Sequence, residues 1–343
     1  MRQIVFTGRN KVSVKDAEDP TPAAGEVLIA VEAAGVNFAD ILARKGLYPD
    51  APSFPCVVGY EVAGRVVALG ENVDASWKDA DVVALTRFGG YTEKLTVPLT
   101  QLCRKPDRLT YAEAASIPVA YLTAWMLLVE QGGLRKEHTV LIQNAGSGVG
   151  LAAIDIVRHV GARAIGTASE HKHDFLTGER GLDHAVNYRE DNWPDRVREL
   201  TDNRGVDLAI DPLGPSSWTR SFSLLRLGGR LGMYGASEIV ADNYGWIMGL
   251  VRFMFRMPTF KPLALMDKCC GVYGTNLLRM FAEPERAHDW LLTIMQGVDE
   301  GWVRPHHDRT FTFEEAEAAH MYIEERRSIG KVILVPGAAA STS

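Results

Sequence analysis

The chain has no paired cysteines at a metal or redox spacing. Its four cysteines, Cys56, Cys103, Cys269 and Cys270, contain no Cys-x-x-Cys, and two of them are adjacent. This excludes a disulfide framework and a cysteine zinc site and leaves reduced, partly buried thiols. Long hydrophobic runs are lacking too, since no apolar stretch reaches the ~20 residues that span a bilayer. The opening Met1-Arg2-Gln3-Ile4-Val5-Phe6 has no extended apolar core of the kind found in signal peptides. A cytoplasmic location is therefore the default expectation. Charge of one sign is nowhere concentrated: the net −6 is spread along the chain, which argues against nucleic acid or an anionic membrane surface as partner. There are no internal repeats. What is present is 343 residues, 46% hydrophobic and 23% charged, enough for two packed domains with a polar exterior.

Residues 3–109 carry short strand-like runs, such as 26–31 and 61–70, punctuated by Gly and Pro as in a small barrel. Near Leu109 the composition changes. Thr110 stands as N-cap to a helical stretch, and 121–131 continues as an apolar helix. Strands and helices then alternate through residue 235, which implies an α/β fold with a doubly wound parallel sheet. Residues 239–266 are unusually apolar and aromatic, and buried helices over a substrate pocket or at a subunit contact are expected there. A strand at 270–274, helices at 276–281 and 284–296, and a final β segment at 331–335 close the pattern. The expected divisions are 1–120, 121–265, 266–335 and a small, polar, disordered tail at 336–343.

The stretch that organises the chain is Thr139-Val140-Leu141-Ile142 running into Gln143-Asn144-Ala145-Gly146-Ser147-Gly148-Val149-Gly150 and then an apolar helix. Strand, glycine-rich turn and helix in that order form the cradle a dinucleotide pyrophosphate requires. Backbone donors at Gly146, Ser147, Gly148 and Val149 would face it from the helix N-terminus. About 20 residues beyond the glycines an acidic residue would grip the ribose of NAD, whereas a small or basic one admits the phosphate of NADP. Ser169 stands there, followed by Glu170-His171-Lys172. Ser169 can donate a hydrogen bond and Lys172 can supply charge, which favours NADPH. An inward Glu170 would favour NADH, and a solvated Lys172 would take no part.

Gly59-Tyr60-Glu61-Val62-Ala63-Gly64, the 144–150 turn, Leu227-Gly228-Gly229-Arg230 and Gly330-Lys331-Val332-Ile333-Leu334 together resemble the medium-chain dehydrogenase/reductase superfamily over nearly the whole chain. Gly35-Val36-Asn37-Phe38-Ala39-Asp40 is similar to its zinc-free quinone oxidoreductase branch. Gly271-Val272-Tyr273-Gly274-Thr275-Asn276-Leu277, with the apolar insertion, looks like the VAT-1-like subgroup. The resemblance implies a GroES-like β-barrel catalytic domain and a Rossmann-type nucleotide domain. It implies that Tyr188 joins Ser169 and Lys172 at the NADP phosphate. It also implies that Tyr234, Gly235 and Asn276 line the nicotinamide and adenine ends, and that Asn37 and Lys331 belong to the cofactor set. A homodimer built through the strand around Val272 is implied as well. For Tyr234, packing at the sheet edge is an equal alternative.

In the resembled alcohol dehydrogenases a cysteine and a histidine occupy the places of Asn37 and Tyr60 and hold zinc. Glu61 alone remains here and reads as structural, no cysteine occurs in 85–97, and the adjacent His306-His307 reads as a surface loop. No zinc is therefore expected. Without a metal to polarise a carbonyl, a quinone or an α,β-unsaturated ketone or aldehyde is a better small-molecule substrate than a plain alcohol. Asn37 and Tyr60 are candidates for orienting substrate or nicotinamide, with Tyr48 a donor at the pocket mouth and Asp40 a helix cap. Leu42 replaces a tyrosine common in the branch, so a natural-product enoyl reductase stays open. So does a nucleotide-binding membrane-peripheral protein that docks through 246–255, and so does a zinc alcohol dehydrogenase.

Overall fold

A computed structural model describes residues 1–240 and 246–337. The chain forms two compact units, one made of Met1–Leu122 with Leu277–Ser343 and the other of Thr123–Asn276.

The first unit opens with the antiparallel pair β1 (Arg2–Gly8) and β2 (Lys11–Asp16). It continues through β3 (Glu26–Val36), α1 (Phe38–Arg44), β4 (Glu61–Leu69), β5 (Asp81–Leu85), β6 (Lys94–Pro98) and β7 (Leu102–Arg104). Next comes α2 (Tyr111–Ala115), started by a capping box in which Thr110 Oγ1 accepts from Glu113 N at 3.2 Å and Glu113 Oε2 accepts from Thr110 N at 2.8 Å. Then α3 (Pro118–Trp125) carries the chain across the 122/123 division, and its last turns, already in the second unit, widen at Met126–Glu130, where Gln131 N donates to Met126 O at 3.0 Å. The helical stretch Tyr111–Glu130 is long and apolar enough to cross a membrane by length and composition, contrary to the sequence reading of no such run. It is 72% buried inside the protein, as core helices are.

The second unit alternates strand and helix: β8 (Thr139–Ile142), α4 (Gly148–Val160), β9 (Arg163–Ala168), β10 (His184–Asn187), α5 (Trp193–Leu200), β11 (Val206–Asp211), α6 (Pro215–Ser223), β12 (Leu225–Met233), α7 (Trp246–Arg256), α8 (Pro262–Lys268) and β13 (Gly271–Gly274). The sheet order is β10-β9-β8-β11-β12-β13, with every pair parallel. Strand order therefore reverses between β8 and β11, the place where such sheets bind dinucleotides beyond their carboxyl ends. All six residues of β11 are buried, as expected of a strand covered on both faces.

The chain returns to the first unit with α9 (Pro284–Glu300), β14 (His307–Thr312), α10 (Ala316–Glu324) and β15 (Lys331–Val335). β15 runs antiparallel to β3, giving a seven-stranded sheet of order β14-β15-β3-β4-β5-β7 with β6 also on β3. Ile4, Phe6, Ile29, Val62, Val82, Leu102, Phe313 and Val332 fill its core.

Several expectations need correction. The second division falls at 276/277 rather than 265/266, because β13 pairs with β12 and completes the six-stranded sheet. The stretch 276–281 is a short tight-turned segment, Leu277–Ala282, and His307 opens β14 rather than lying in a loop. The apolar helices are not buried all round. Phe253 packs edge-on against Trp218 at 6.1 Å between ring centres, while Val251, Met254, Phe255, Leu263 and Met266 are exposed, since only one side of each helix finds a partner. In the expected tail, 338–343 lies outside the described residues, and Gly337 O accepts from Arg2 Nη2 at 2.7 Å.

Candidate active site

In the second unit β8 ends directly in the glycine turn. Asn144 takes a left-handed conformation (φ 56°), its N–H reaching Thr167 Oγ1 at 3.2 Å, and Ala145 N donates to Thr167 O at 2.9 Å. Thr167 Oγ1 in turn donates to Gln143 Oε1 at 2.6 Å, so β9 holds the turn from below. Ser147 caps α4 by accepting from Gly150 N at 3.1 Å, and its own N–H donates to Asn144 O at 3.0 Å. The Ser147 N–H is thus engaged within the turn, while its hydroxyl, which only accepts in the cap, keeps a hydrogen to donate. Gly148 and Val149 occupy the first helical positions, where N–H groups have no partner within the helix, and with Gly146 they carry the anion-binding capacity.

Lys172 lies across this turn. It is only 6% exposed, and its Cδ would stand 2.9 Å from a Cβ built on Gly146, so its side chain packs directly over the turn. The solvated alternative for Lys172 is overturned. Ser169 is buried beside it and its Oγ donates to the hydroxyl of half-buried Tyr188 at 3.3 Å, while Glu170 is exposed. The structure thus groups Gly146, Ser169, Lys172 and Tyr188 and turns the dissenting carboxylate outward. The cation and hydroxyl pair of this cluster fit a phosphate monoester. Tyr234 follows β12. Its hydroxyl is buried without a hydrogen-bond partner, and burial pushes its pKa well above the ordinary phenol range. Asn276 is exposed just after β13.

The first unit holds the other cluster. Asn37 precedes α1 and Tyr60 precedes β4. Gly59 has φ 104°, and a Cβ there would meet Tyr91 Cδ1 at 2.6 Å, so only glycine lets the chain turn into Tyr60. The Asn37 amide is committed internally: Nδ2 donates to Glu61 Oε1 at 2.9 Å, and Oδ1 accepts from Lys331 Nζ at 2.7 Å. Lys331, 5% exposed, also donates to Val36 O at 2.9 Å and pairs with Glu61 at 2.5 Å. Its three N–H groups are thereby used, so it supports Asn37 rather than offering a donor to a cofactor as the resemblance implied. The other Glu61 oxygen accepts from Val119 N at 2.7 Å, which gives that carboxylate the structural role read from sequence.

Tyr60 is different. It is 4% exposed and packed against Tyr48 and Phe88, and its hydroxyl has no partner. Burial first, then the charge of Asp40, raises its pKa far above the usual phenol value, and Tyr48 is pushed up to about 12. Both phenols therefore stay protonated donors. An unsatisfied buried hydroxyl costs about 1–3 kcal/mol and calls for an explanation. Sequence had named Tyr60, but nothing local could have shown that it would be left unpaired. Among the described residues no group of three or more His, Cys, Asp or Glu could hold a metal ion.

Residues 23–121 match the alcohol dehydrogenase GroES-like domain family and residues 180–334 the zinc-binding dehydrogenase family. The human synaptic vesicle membrane protein VAT-1 homolog is 33% identical over 343 residues, covering 98% of this chain and 87% of that protein. The chain belongs to the medium-chain dehydrogenase/reductase superfamily. Human quinone oxidoreductase is 28% identical over 338 residues, covering 98% of this chain and 97% of its own length. A mycobacterial protein solved in complex with NADPH is 30% identical, with a TM-score of 0.84 over 98% of this chain and all of that one. As a member of this oxidoreductase superfamily, the chain carries the GroES-like domain and the parallel nucleotide-binding sheet expected from sequence.

Proposed function

We propose that this dehydrogenase/reductase uses NADPH, without zinc, to reduce a quinone or an α,β-unsaturated ketone or aldehyde. The observation that carries the cofactor choice is the burial of Lys172 against Gly146, beside Ser169 and Tyr188, with Glu170 turned outward. Bound NADPH would supply the hydride. Gly146, Gly148 and Val149 would hold the pyrophosphate, and Lys172, Ser169 and Tyr188 the 2′-phosphate. Tyr234 and Asn276 would contact the rest of the cofactor.

On the substrate side, the Tyr60 hydroxyl, with Tyr48, would donate to the carbonyl oxygen as it gains enolate character. Asn37, with Lys331 and Glu61, would fix the wall from which Tyr60 works. The proton needed at carbon would come from solvent, so no acid residue is essential. A zinc ion is a poor fit at this wall, since the Asn37 amide is already bonded to an ammonium and a carboxylate and Tyr60 is a protonated phenol. A homodimer through the free edge strand β13 completes the proposal. The test is NADPH oxidation across quinones, alkenals and cyclic enones, with NADH in parallel. Turnover with NADPH and an enone or quinone is expected, and turnover of plain alcohols alone would overturn the reading.

A second reading rests on the exposed side of α7 and α8. Val251, Met254, Phe255, Leu263 and Met266 stand exposed among Arg252, Arg256, Lys261 and Lys268, with Asp267 the one acid. In a chain of net charge −6 this local excess of cations suits an anionic lipid surface. Flotation with phosphatidylserine-containing vesicles, lost in Phe255→Asp and absent with phosphatidylcholine alone, would support it.

A further inference from the structure

Asp40 looks at first like a helix cap, since its Oδ2 accepts from Asn37 N at 2.8 Å at the start of α1. A cap at a surface helix would leave the second oxygen in water. Here the residue is wholly buried, and Oδ1 reaches a different segment, accepting from Gly59 N at 3.0 Å. One carboxylate thus ties the residue before α1 to the glycine before Tyr60. A third donor, the Tyr91 hydroxyl, lies 2.9 Å from Oδ2 and also 3.4 Å from His320 Nε2 of α10.

We propose that Asp40 is a positioning residue for the reductase site: its carboxylate clamps the Asn37 and Gly59 amides together and thereby holds the Tyr60 hydroxyl in its unpaired, donor-ready place. This rests on the assignment of Tyr60 as the donor to substrate. A clamp of this kind matters because a catalytic donor displaced by about an ångström loses much of its effect, and Tyr60 makes no side-chain hydrogen bond that would locate it.

The clamp is tightest when Asp40 is ionised, because both amides and the Tyr91 hydroxyl then donate to a charged acceptor, whereas a protonated carboxyl accepts from the same amides more weakly. The titratable and charged groups around it are Tyr91, Lys331 of β15, Tyr48, Tyr60 and, behind Tyr91, His320. Burial pushes the Asp40 pKa up to about 7 against the opposing pull of its three donors and Lys331. Protonation puts a hydrogen on one oxygen. The Tyr91 hydroxyl can then turn to accept it while donating to His320, whose ring burial keeps neutral. Asp40 and Tyr91 therefore form a two-state pair centred near neutrality.

The test compares the full-length wild type with Asp40→Asn and Tyr91→Phe, using three readouts. The first, taken without ligands, is amide hydrogen exchange. Asp40→Asn is expected to speed exchange about tenfold or more at Asn37 and Gly59, the loss of roughly one charge-assisted hydrogen bond, with the amides of the six-stranded sheet unchanged. The second is kinetics on an acceptor the wild type reduces. kcat is expected to fall about tenfold with the KM for NADPH unchanged. The third is the pH profile of kcat. It is expected to rise through about pH 7 in the wild type, to lose that limb in Asp40→Asn and to move its midpoint upward in Tyr91→Phe, which removes one donor to the carboxylate. Unchanged exchange at both amides, or an unchanged pH limb in Asp40→Asn, would overturn the clamp. If Asp40→Asn does not fold, an unmoved limb in Tyr91→Phe overturns it equally. If the wild type reduces nothing, the proposed reaction fails and the clamp stands or falls on exchange alone.

Discussion

Lys331 Nζ lies 2.7 Å from Asn37 Oδ1 and 2.5 Å from Glu61 Oε1, so one ammonium on the last strand ties together a side chain at the start of α1 and another at the start of β4. Both charges are almost wholly removed from water. Removing one partner strands the other. Lys331→Met should therefore cost about 3–5 kcal/mol of stability, while Lys331→Met with Glu61→Gln should recover part of that loss. Urea unfolding of the wild type, the two single variants and the double variant measures both, and an additive double variant would mean the pair acts independently.

Lys172→Ala should weaken NADPH binding by about 10- to 100-fold, corresponding to one or two charge-assisted hydrogen bonds. NADH binding should change little, because Lys172 is assigned to the extra phosphate. Fluorescence titration with both nucleotides decides this, and equal losses for the two would move Lys172 to the pyrophosphate.

Tyr60→Phe should separate activity from stability. The variant loses the proposed donor, so kcat should drop about 10- to 1000-fold. It also deletes a buried hydroxyl that has no partner, so thermal stability should hold or rise by up to about 1–2 kcal/mol. Loss of stability together with activity would show that the hydroxyl is bonded in the folded protein.

Buried groups set opposite pH limbs of stability. Asp40, with its pKa pushed up to about 7 from an unfolded value near 3.9, binds a proton more tightly when folded, so its contribution falls as pH rises from about 4 to 7. His320, lowered to about 3 from about 6.5, binds its proton less tightly when folded, so its contribution is lost as pH falls through that window. Asp40→Asn removes its own share of the first limb and leaves that of Asp211, whose pKa burial pushes up to about 6, and the His320 limb. The stability of the variant relative to the parent should therefore increase as pH rises from about 4 to 7, measured by denaturant unfolding at each pH.

Elemental analysis of the purified protein should find no stoichiometric zinc, and chelator treatment should leave NADPH oxidation unchanged. Zinc at one equivalent would require ligands other than Asn37 and Tyr60.

What could be read from sequence was local. The glycine turn, the Thr110 cap and the final strand at 331–335 all depend on residues within a few positions of one another, and the structure has them where periodicity and capping chemistry put them. Ser169, Lys172 and Tyr188 could be singled out, but whether Lys172 lay in solvent or over Gly146 depended on packing. The internal commitment of Asn37 could not be foreseen, because its partner Lys331 is 294 residues away. Nor could sequence tell that α7 and α8 would leave apolar side chains outward, since an apolar run carries no mark of which of its faces will be covered.

The antiparallel seat of β15 on β3 bears on how the protein is born. Everything from Thr123 to Asn276, about 150 residues, leaves the ribosome after β3 and before β15. At 5–20 residues per second that delay is roughly 10–30 s, and synthesis of the remaining return segment adds to it. Throughout it the nascent first unit lacks Lys331, leaving Glu61 without its counter-charge and the Ala34–Val36 end of β3 open to a stray strand. The nucleotide-binding unit is continuous in sequence and is complete first, so the order of translation makes the substrate-side unit the late and vulnerable one.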